Sequence, residues 1–346
     1  MSIPVQPEKI QLPLFAGVDV GGTNVKVGLV DDAGQIVAST KFPTQQELGP
    51  RYAIEQARSV FDQLMDDLPF SWSAVEAAGL GTPGPMDIPN GLILTPTNLP
   101  GWHNFPVRDE LSKALGLPFA FANDAAAAAY GEYWVGAGRD HGSLVLLTLG
   151  TGVGGGIIVN DFSIDGAHSH GAEVGHIVVD TSEEARRCSC GQRGHLEAYA
   201  SATAIVQRTH ERLANERQSL LVEKIGEASP LSALMISEAA AAGDALALEI
   251  VDETAVYLGR GMTILAHIIN PAGFLLGGAV NFGGSESELG QRFLKRIREE
   301  VKQNSFTVIG QNLSLEFAKL GSEAGFVGAA GLGRVEHMNQ SPQQSA

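Results

Sequence analysis

The chain has 346 residues, 44% of them hydrophobic and 18% charged. At about 150 residues per domain, that length predicts two domains with enough apolar material for two cores. Lys and Arg total 23 against 39 Asp and Glu, a net charge of −16 with no basic run to relieve it. This argues against a nucleic-acid partner and for a soluble protein with a small-molecule substrate.

Met1–Leu12 has no apolar run and no small-residue cleavage site, so no secretory signal is read there. Gly261–Ser285 is 25 residues without a formal charge. Asn270-Pro271 and Gly277-Gly278 would break a spanning helix, so a buried helix, a turn and a buried strand are expected and no membrane span. The only cysteines, Cys188 and Cys190, are too close for an unstrained disulfide. The chain reads as cytoplasmic.

Strands are predicted at Leu14–Val20, Val25–Val30 and Gln35–Thr40, separated by turn residues. Ile54, Ala57, Phe61, Leu64 and Leu68 are spaced 3, 4, 3, 4, which predicts an amphipathic helix. A buried strand Val75–Leu80 follows, then a short helix Pro106–Leu115 and a strand Pro118–Ala122. Asp124 is expected to cap an alanine-rich helix, Ala125–Tyr130. The pattern then restarts with strands Ser143–Leu149, Gly155–Asn160 and Ile177–Asp180. A helix Asp244–Ile269, a strand Gly273–Leu276, a helix Glu286–Val301, a strand Leu313–Phe317 and a helix from Glu323 complete it, before a polar tail.

The two starts repeat each other. Asp19-Val-Gly-Gly-Thr-Asn-Val-Lys-Val-Gly-Leu-Val30 and Thr148-Leu-Gly-Thr-Gly-Val-Gly-Gly-Gly-Ile-Ile-Val159 align at an offset of 129. Each is strand, Gly/Thr-rich tip, strand, which suggests a duplicated α/β architecture with the two tips facing a cleft. Such tips (Gly21, Gly22, Thr23 and Gly150, Thr151, Gly152) gather backbone N–H groups into a nest for phosphate oxygens without any lysine. Gly277 and Gly278, after a strand, add a third candidate. There is no G-x-x-x-x-G-K-[ST] segment. The two G-x-G-x-x-G matches, at Gly79 and Gly150, do not open helices, so a dinucleotide-binding dehydrogenase is not expected.

Asp19, just before the first tip, either caps the turn or faces bound phosphates across a Mg²⁺ ion. Asn123-Asp124 stands at a strand end where a helix begins; Asp124 there either caps the helix or takes a hydroxyl proton during phosphoryl transfer. Farther on, His176, Cys188, Cys190 and His195 offer two nitrogens and two thiolates, a set suited to a structural tetrahedral Zn²⁺. Glu173 and Glu197 flank this cluster and are either sugar-hydroxyl acceptors or solvated surface groups. His168 and His170 read as solvated loop residues.

These residues, in this order, resemble the ROK family of sugar kinases and repressors, its bacterial glucokinases in particular, over about Leu14–Val335. The likeness rests on Asp19-Val-Gly-Gly-Thr23, Thr82-Pro-Gly-Pro-Met-Asp87, Asn98-Leu-Pro-Gly-Trp102, Asn123-Asp124, Leu149-Gly-Thr-Gly-Val-Gly-Gly155, Glu173-Val-Gly-His176 and Cys188-x-Cys190-Gly-x-x-Gly194. It implies an actin-like ATPase fold with two RNase H-like domains around a central cleft, in a homodimer. The predicted division is 13–124 with a returning helix at 323–336, then 125–322 carrying the zinc knuckle, and a disordered tail at 337–346. The likeness further implies ATP, Mg²⁺ and structural Zn²⁺, with Asp124 as general base in phosphorylation of a hexose at its 6-hydroxyl, glucose first. Asn123, Glu173, His176 and Glu197, with backbone near Gly84, would bind the sugar, His176 holding zinc through its other ring nitrogen. The family carries a third cysteine where this chain has His195. Fructose, mannose or an N-acetylhexosamine as substrate, and polyphosphate as donor, are alternatives. The family's repressors carry an N-terminal DNA-binding segment of about 60 residues; only 13 residues precede Leu14 here, which argues against that role.

Overall fold

The computed structural model describes residues 7–96, 98–214, 218–225 and 230–340. Its backbone divides into two compact units. The first comprises Met1–Asp140, Gly156–Ala172 and Lys319–Ala346, the second His141–Gly155 and Glu173–Ala318.

The chain opens with β1 (Leu14–Val20), β2 (Asn24–Asp31) and β3 (Ile36–Pro43), an antiparallel meander. Helix α1 (Gly49–Asp66) buries Ile54, Ala57 and Phe61 of the predicted stripe together with Ala53 and Met65, leaves Leu64 half-buried, and stops short of Leu68. Next come β4 (Val75–Thr82) and a small hairpin of β5 (Met86–Asp87) with β6 (Leu92–Ile93). Then α2 (Val107–Leu115), β7 (Phe119–Asn123) and α3 (Asp124–Trp134) follow. The sheet order is β3-β2-β1-β4-β7, with β1, β4 and β7 parallel. Successive residues of β1 feed opposite faces: Leu14, Ala16 and Val18 join the core with Phe61, Trp102 and Leu111, while Phe15 packs with Phe326 and Val327.

The second half is β8 (Ser143–Leu149), β9 (Val153–Val159), β10 (Phe162–Ser163), α4 (Glu197–Ala200), α5 (Ala202–Leu213), α6 (Leu221–Lys224) and α7 (Ala233–Ala241). It continues with α8 (Ala245–Ile269), β11 (Gly273–Gly278), α9 (Glu288–Asn304), α10 (Thr307–Asn312), β12 (Ser314–Phe317) and α11 (Ala324–Gln340). The second sheet runs β10-β9-β8-β11-β12. Position for position this is the order of the first, with β8, β11 and β12 parallel. The duplication in the sequence is therefore a duplication of topology. The uncharged stretch from Gly261 is the end of α8, a turn at Asn270 and β11; among the described residues no helix is long and apolar enough to cross a membrane.

Helix α11 returns to the first unit and lies close against it. An added Cβ at Gly328 would fall 1.6 Å from the Ala127 carbonyl oxygen of α3, and one at Gly79 of β4 would fall 1.8 Å from that of Ala329. Only glycine permits these approaches.

Three local expectations are corrected. Ile177–Asp180 is not a strand. Its amides turn to the following knuckle (Val179 N–H to Gly194 O, 2.8 Å), leaving one isolated bridge, Val178 to His195. The place beside β9 is taken by β10. The cap of α3 is Asn123, whose Oδ1 accepts from Ala125 N–H, and Asp124 is the first helical residue. Lastly, α11 continues through Gln340, into the segment expected to be disordered, because the preceding turns already anchor it; residues 341–346 lie outside the described residues, as do Met1–Gln6 of the segment read as lacking a signal.

Candidate active site

In the first unit the strand ends assemble the candidates. Asp19 is the penultimate residue of β1, opposite Gly81 of β4, and Thr82 pairs with Asn123 of β7. The tip Gly21–Thr23 is braced from β3 and beyond: Thr44 Oγ1 donates to Gly21 O (2.7 Å), Thr44 N–H to Thr23 O (2.9 Å), and the Gln46 amide to Gly22 O. A Cβ at Gly22 would sit 3.1 Å from Asn98 O, which places the Asn98–Trp102 segment against this tip. A Cβ at Gly84 would lie 3.8 Å from Asn123 Nδ2. Asn123, Asp124 and the backbone at Gly84 are thus neighbours.

Asp19 and Asp124 are half-buried and sense each other. Burial first, and the Asp124 charge second, push the Asp19 carboxyl up to about 6 against the pull of Lys26. Burial likewise raises Asp124, although Ala125 N–H donates to its Oδ1 at 2.8 Å. Two partly desolvated carboxylates beside an N–H-lined tip fit a divalent cation carried in with phosphate, which would relieve both. A Cβ at Gly325 of α11 would lie 2.4 Å from Asp19 Oδ2, so the helix start closes over that carboxylate.

The folded pKa of Asp19 exceeds its ordinary 3.8, so the folded state holds its proton longer and loses stability as pH rises from about 4 through 6. Asp19→Asn removes that loss. At pH 8 the ligand-free variant melts a few degrees above wild type, about 1–2 kcal/mol after solvent screening. The gap narrows toward pH 5 in calorimetric scans; a variant less stable than wild type at pH 8 refutes the reading.

In the second unit, the tip Gly150–Gly152 is tied down by the start of α5: Ala202 N–H donates to Gly150 O (2.8 Å) and Thr203 Oγ1 to Thr151 O (2.9 Å). Gly277 and Gly278 end β11 beside it, paired with Thr148 and Leu149. Gly278 has φ 88°, and a Cβ there would meet Leu149 O at 2.3 Å, so the third glycine candidate abuts the second tip by necessity.

The knuckle brings together all four predicted ligands. The donor atoms of His176, Cys188, Cys190 and His195 lie within 4.8 Å of one another. His176 Nδ1 is 3.3 Å from His195 Nδ1 and 3.7 Å from Cys188 Sγ, and Cys190 Sγ is 3.2 Å from His195 Nδ1. A tetrahedral zinc requires about 3.3 Å between two nitrogens and about 3.6 Å between nitrogen and sulfur. The donor set fits that ion, and His195 occupies the third-cysteine position as a donor rather than pointing away. Burial first and the His176 neighbour second lower the His195 pKa, which favours the neutral ring a metal needs.

Glu197 opens α4 and bridges two elements. Its Oε2 accepts from Val153 N–H at 3.0 Å, just past the Gly150–Gly152 tip, and its Oε1 accepts from Ser189 Oγ–H at 2.6 Å within the C-x-C turn. Glu173 is exposed, its carbonyl accepting His176 N–H at 3.0 Å. His168 and His170 are exposed loop residues, as read.

Sequence reasoning missed Ser189, the middle residue of C-x-C, which the spacing marked only as a spacer. It also missed Thr82, whose fully buried Oγ1 has no partner among the described residues. Thr82 stood inside the Thr-Pro-Gly motif, but nothing local signals a buried hydroxyl.

Comparison with known proteins is consistent with this geometry. The profile of the ROK family matches residues 15–335. A glucokinase of Halalkalibacterium halodurans is 35% identical over 318 residues, 92% of this chain and 94% of that protein. The crystal structure of a ROK family glucokinase from Streptomyces griseus in complex with glucose and AMPPNP is 33% identical with a TM-score of 0.73, covering 93% of this chain and 99% of that one. A xylose repressor of Caldicellulosiruptor bescii is 28% identical over 90% of this chain and 76% of its own length. These neighbours and the duplicated sheets establish an actin-like ATPase fold.

Proposed function

The chain belongs to the ROK family, and from that premise we propose that it phosphorylates glucose at the 6-hydroxyl with ATP, Asp124 serving as general base. The observation that carries this reading is Asp124 itself: half-buried, its carboxyl raised by burial, beside Asn123 and the Gly84 backbone at the carboxyl ends of parallel strands. A raised carboxyl pKa makes a stronger base toward a hydroxyl proton.

In this reading Asn123, Glu173, His176 and Glu197, with backbone near Gly84, hold the sugar hydroxyls. The N–H groups of the Gly21–Thr23 and Gly150–Gly152 tips and of Gly277–Gly278 hold phosphate oxygens. Mg²⁺, when bound, neutralises phosphate charge beside Asp19. Asp124 takes the proton of the 6-hydroxyl as that oxygen bonds to the γ-phosphorus and the bond to ADP breaks. Zinc, when bound, holds the His176 ring and the C-x-C turn in place. Glu197 is then oriented by Ser189 on one oxygen and Val153 N–H on the other.

The likeness to glucokinases favours glucose, and the likeness to a xylose repressor favours a sugar-binding regulator as the second reading. Purified protein with Mg-ATP, assayed for ADP release across glucose, fructose, mannose, N-acetylglucosamine and N-acetylmannosamine, separates them. Turnover is expected on glucose above all others. Turnover confined to another hexose reassigns the substrate, and binding of a sugar without ADP release sinks the kinase reading.

A further inference from the structure

The two Gly/Thr tips share more than sequence, for each is held from behind in the same way. A trans peptide unit is planar, so the carbonyl of one residue and the N–H of the next point in opposite directions. Whatever fixes a tip carbonyl therefore aims the N–H that follows it.

In the first unit three successive carbonyls are fixed. Gly21 O accepts from Thr44 Oγ1 (2.7 Å), Gly22 O from the Gln46 side-chain amide, and Thr23 O from Thr44 N–H (2.9 Å). These bonds turn the N–H groups of Gly22 and Thr23 away from the protein, and among the described residues neither finds a protein acceptor. Thr44 is fully buried, so its hydroxyl is spent on the tip and closed to solvent.

The second unit repeats the device with other parts. At the offset of 129 the equivalent carbonyls are those of Gly150, Thr151 and Gly152. Gly150 O accepts from Ala202 N–H (2.8 Å), Thr151 O from Thr203 Oγ1 (2.9 Å) and Gly152 O from Gly150 N–H (3.0 Å). The N–H groups of Thr151 and Gly152 are again left without a protein acceptor among the described residues, while the next, on Val153, donates to Glu197. Thr203 belongs to the start of α5, whereas Thr44 follows β3. A hydroxyl with only itself to satisfy could use any nearby carbonyl. Two threonines from unrelated elements, each on a carbonyl of a matching tip, answer a requirement of the tips.

That requirement is the chemistry of an anion. Adjacent outward N–H groups concentrate partial positive charge, which an oxyanion answers more fully than a neutral hydroxyl. We propose that Thr44 and Thr203 are positioning residues for the phosphate chain of the donor, each aiming the N–H pair of its own tip at phosphate oxygens. Neither hydroxyl touches the ligand. The identity of the donor rests on the function proposed above; the aiming of the N–H groups rests on the tips alone.

Calorimetric titration of the full-length, zinc-loaded protein tests this, with Mg-ATP, Mg-tripolyphosphate and glucose as separate probes. Thr44→Val and Thr203→Val each remove one hydroxyl at nearly constant volume. Each should weaken both polyphosphates by about five- to tenfold, the scale of one hydrogen bond. The double variant should lose about 25- to 100-fold, since the two residues belong to separate units. Glucose affinity should stay within about twofold of wild type. Thr44→Ser, which keeps the hydroxyl, should restore polyphosphate binding. Thr203 is exposed, so its substitution leaves folding intact even if Thr44→Val melts early. Mg-ATP binding that is unchanged in both Val variants overturns the role of the threonines and leaves the kinase reading standing. A loss that falls equally on glucose does the same, because it marks a merely structural part. A loss confined to Mg-ATP and sparing tripolyphosphate overturns the phosphate assignment. Wild-type protein that binds neither polyphosphate overturns the donor itself, and this inference with it.

Discussion

Asp124→Asn is expected to lower the rate of ADP release from glucose by about 10² to 10⁴-fold, the contribution of a positioned general base. The loss should fall on kcat, with KM for glucose and for ATP little changed, because the amide keeps the size and most of the hydrogen bonding of the carboxylate. Folding should survive. The amide of Ala125 is already capped by Asn123 Oδ1 at 2.9 Å, so α3 does not depend on Asp124 for its start. A melting temperature within a few degrees of wild type, beside a large fall in kcat, identifies chemistry; a fall of similar size in both would mean that Asp124 is structural. The pH profile adds a second reading. Burial raises the Asp124 carboxyl above its ordinary range, so the active, ionised base is lost as pH falls through that raised value. Wild-type activity should decline on the acid side above the ordinary carboxylate range, and the residual activity of Asp124→Asn should show no such decline.

Cys188→Ala is expected to remove zinc and to lower turnover by about 10 to 100-fold or more, the scale at which groups supporting a site act. Elemental analysis should find one zinc per wild-type chain and almost none in the variant. The physical link runs through Ser189 and Glu197: the turn between the two cysteines presents Ser189 Oγ–H to Glu197 Oε1 at 2.6 Å. When that turn opens, the other Glu197 oxygen, on Val153 N–H, has only the loop to hold it. Cys188 is 4% exposed, so the substitution also costs packing. His195→Cys separates the two effects, since it replaces one donor by another and should retain zinc and turnover. Ser189→Ala should keep zinc and lose turnover more mildly. Full activity in zinc-free Cys188→Ala would sever the knuckle from catalysis.

Much of this was legible in the chain itself. The strand at Leu14–Val20 and that at Ser143–Leu149 were read with their observed bounds, because apolar runs between Gly turns admit few alternatives. The alignment of the two Gly/Thr tips pointed to a duplicated α/β architecture, and the structure gives the two sheets the same strand order. The candidate metal donors were readable for a similar reason: two His and two Cys within 20 positions, with glycines between, are brought together by local turns. Helices α5 and α7 went unread: α5 buries Arg208 and Thr209 beside Ala204 and Ile205, α7 is a short alanine-rich segment, and both pack against α8.

What the sequence by itself determined, then, was periodicity, turn chemistry and the clustering of candidate metal donors, all carried by interactions among residues a few positions apart. The tertiary structure alone decided that Gly325 closes over Asp19 from the opposite end of the chain, and that Asn123 rather than Asp124 caps α3. It alone decided that Glu197 ties the knuckle to the Val153 amide just past the Gly150–Gly152 tip, and that Arg208 buries an N–H without a partner among the described residues. Each of these depends on which backbones approach closely and which polar atoms packing removes from water, and both are properties of the folded whole.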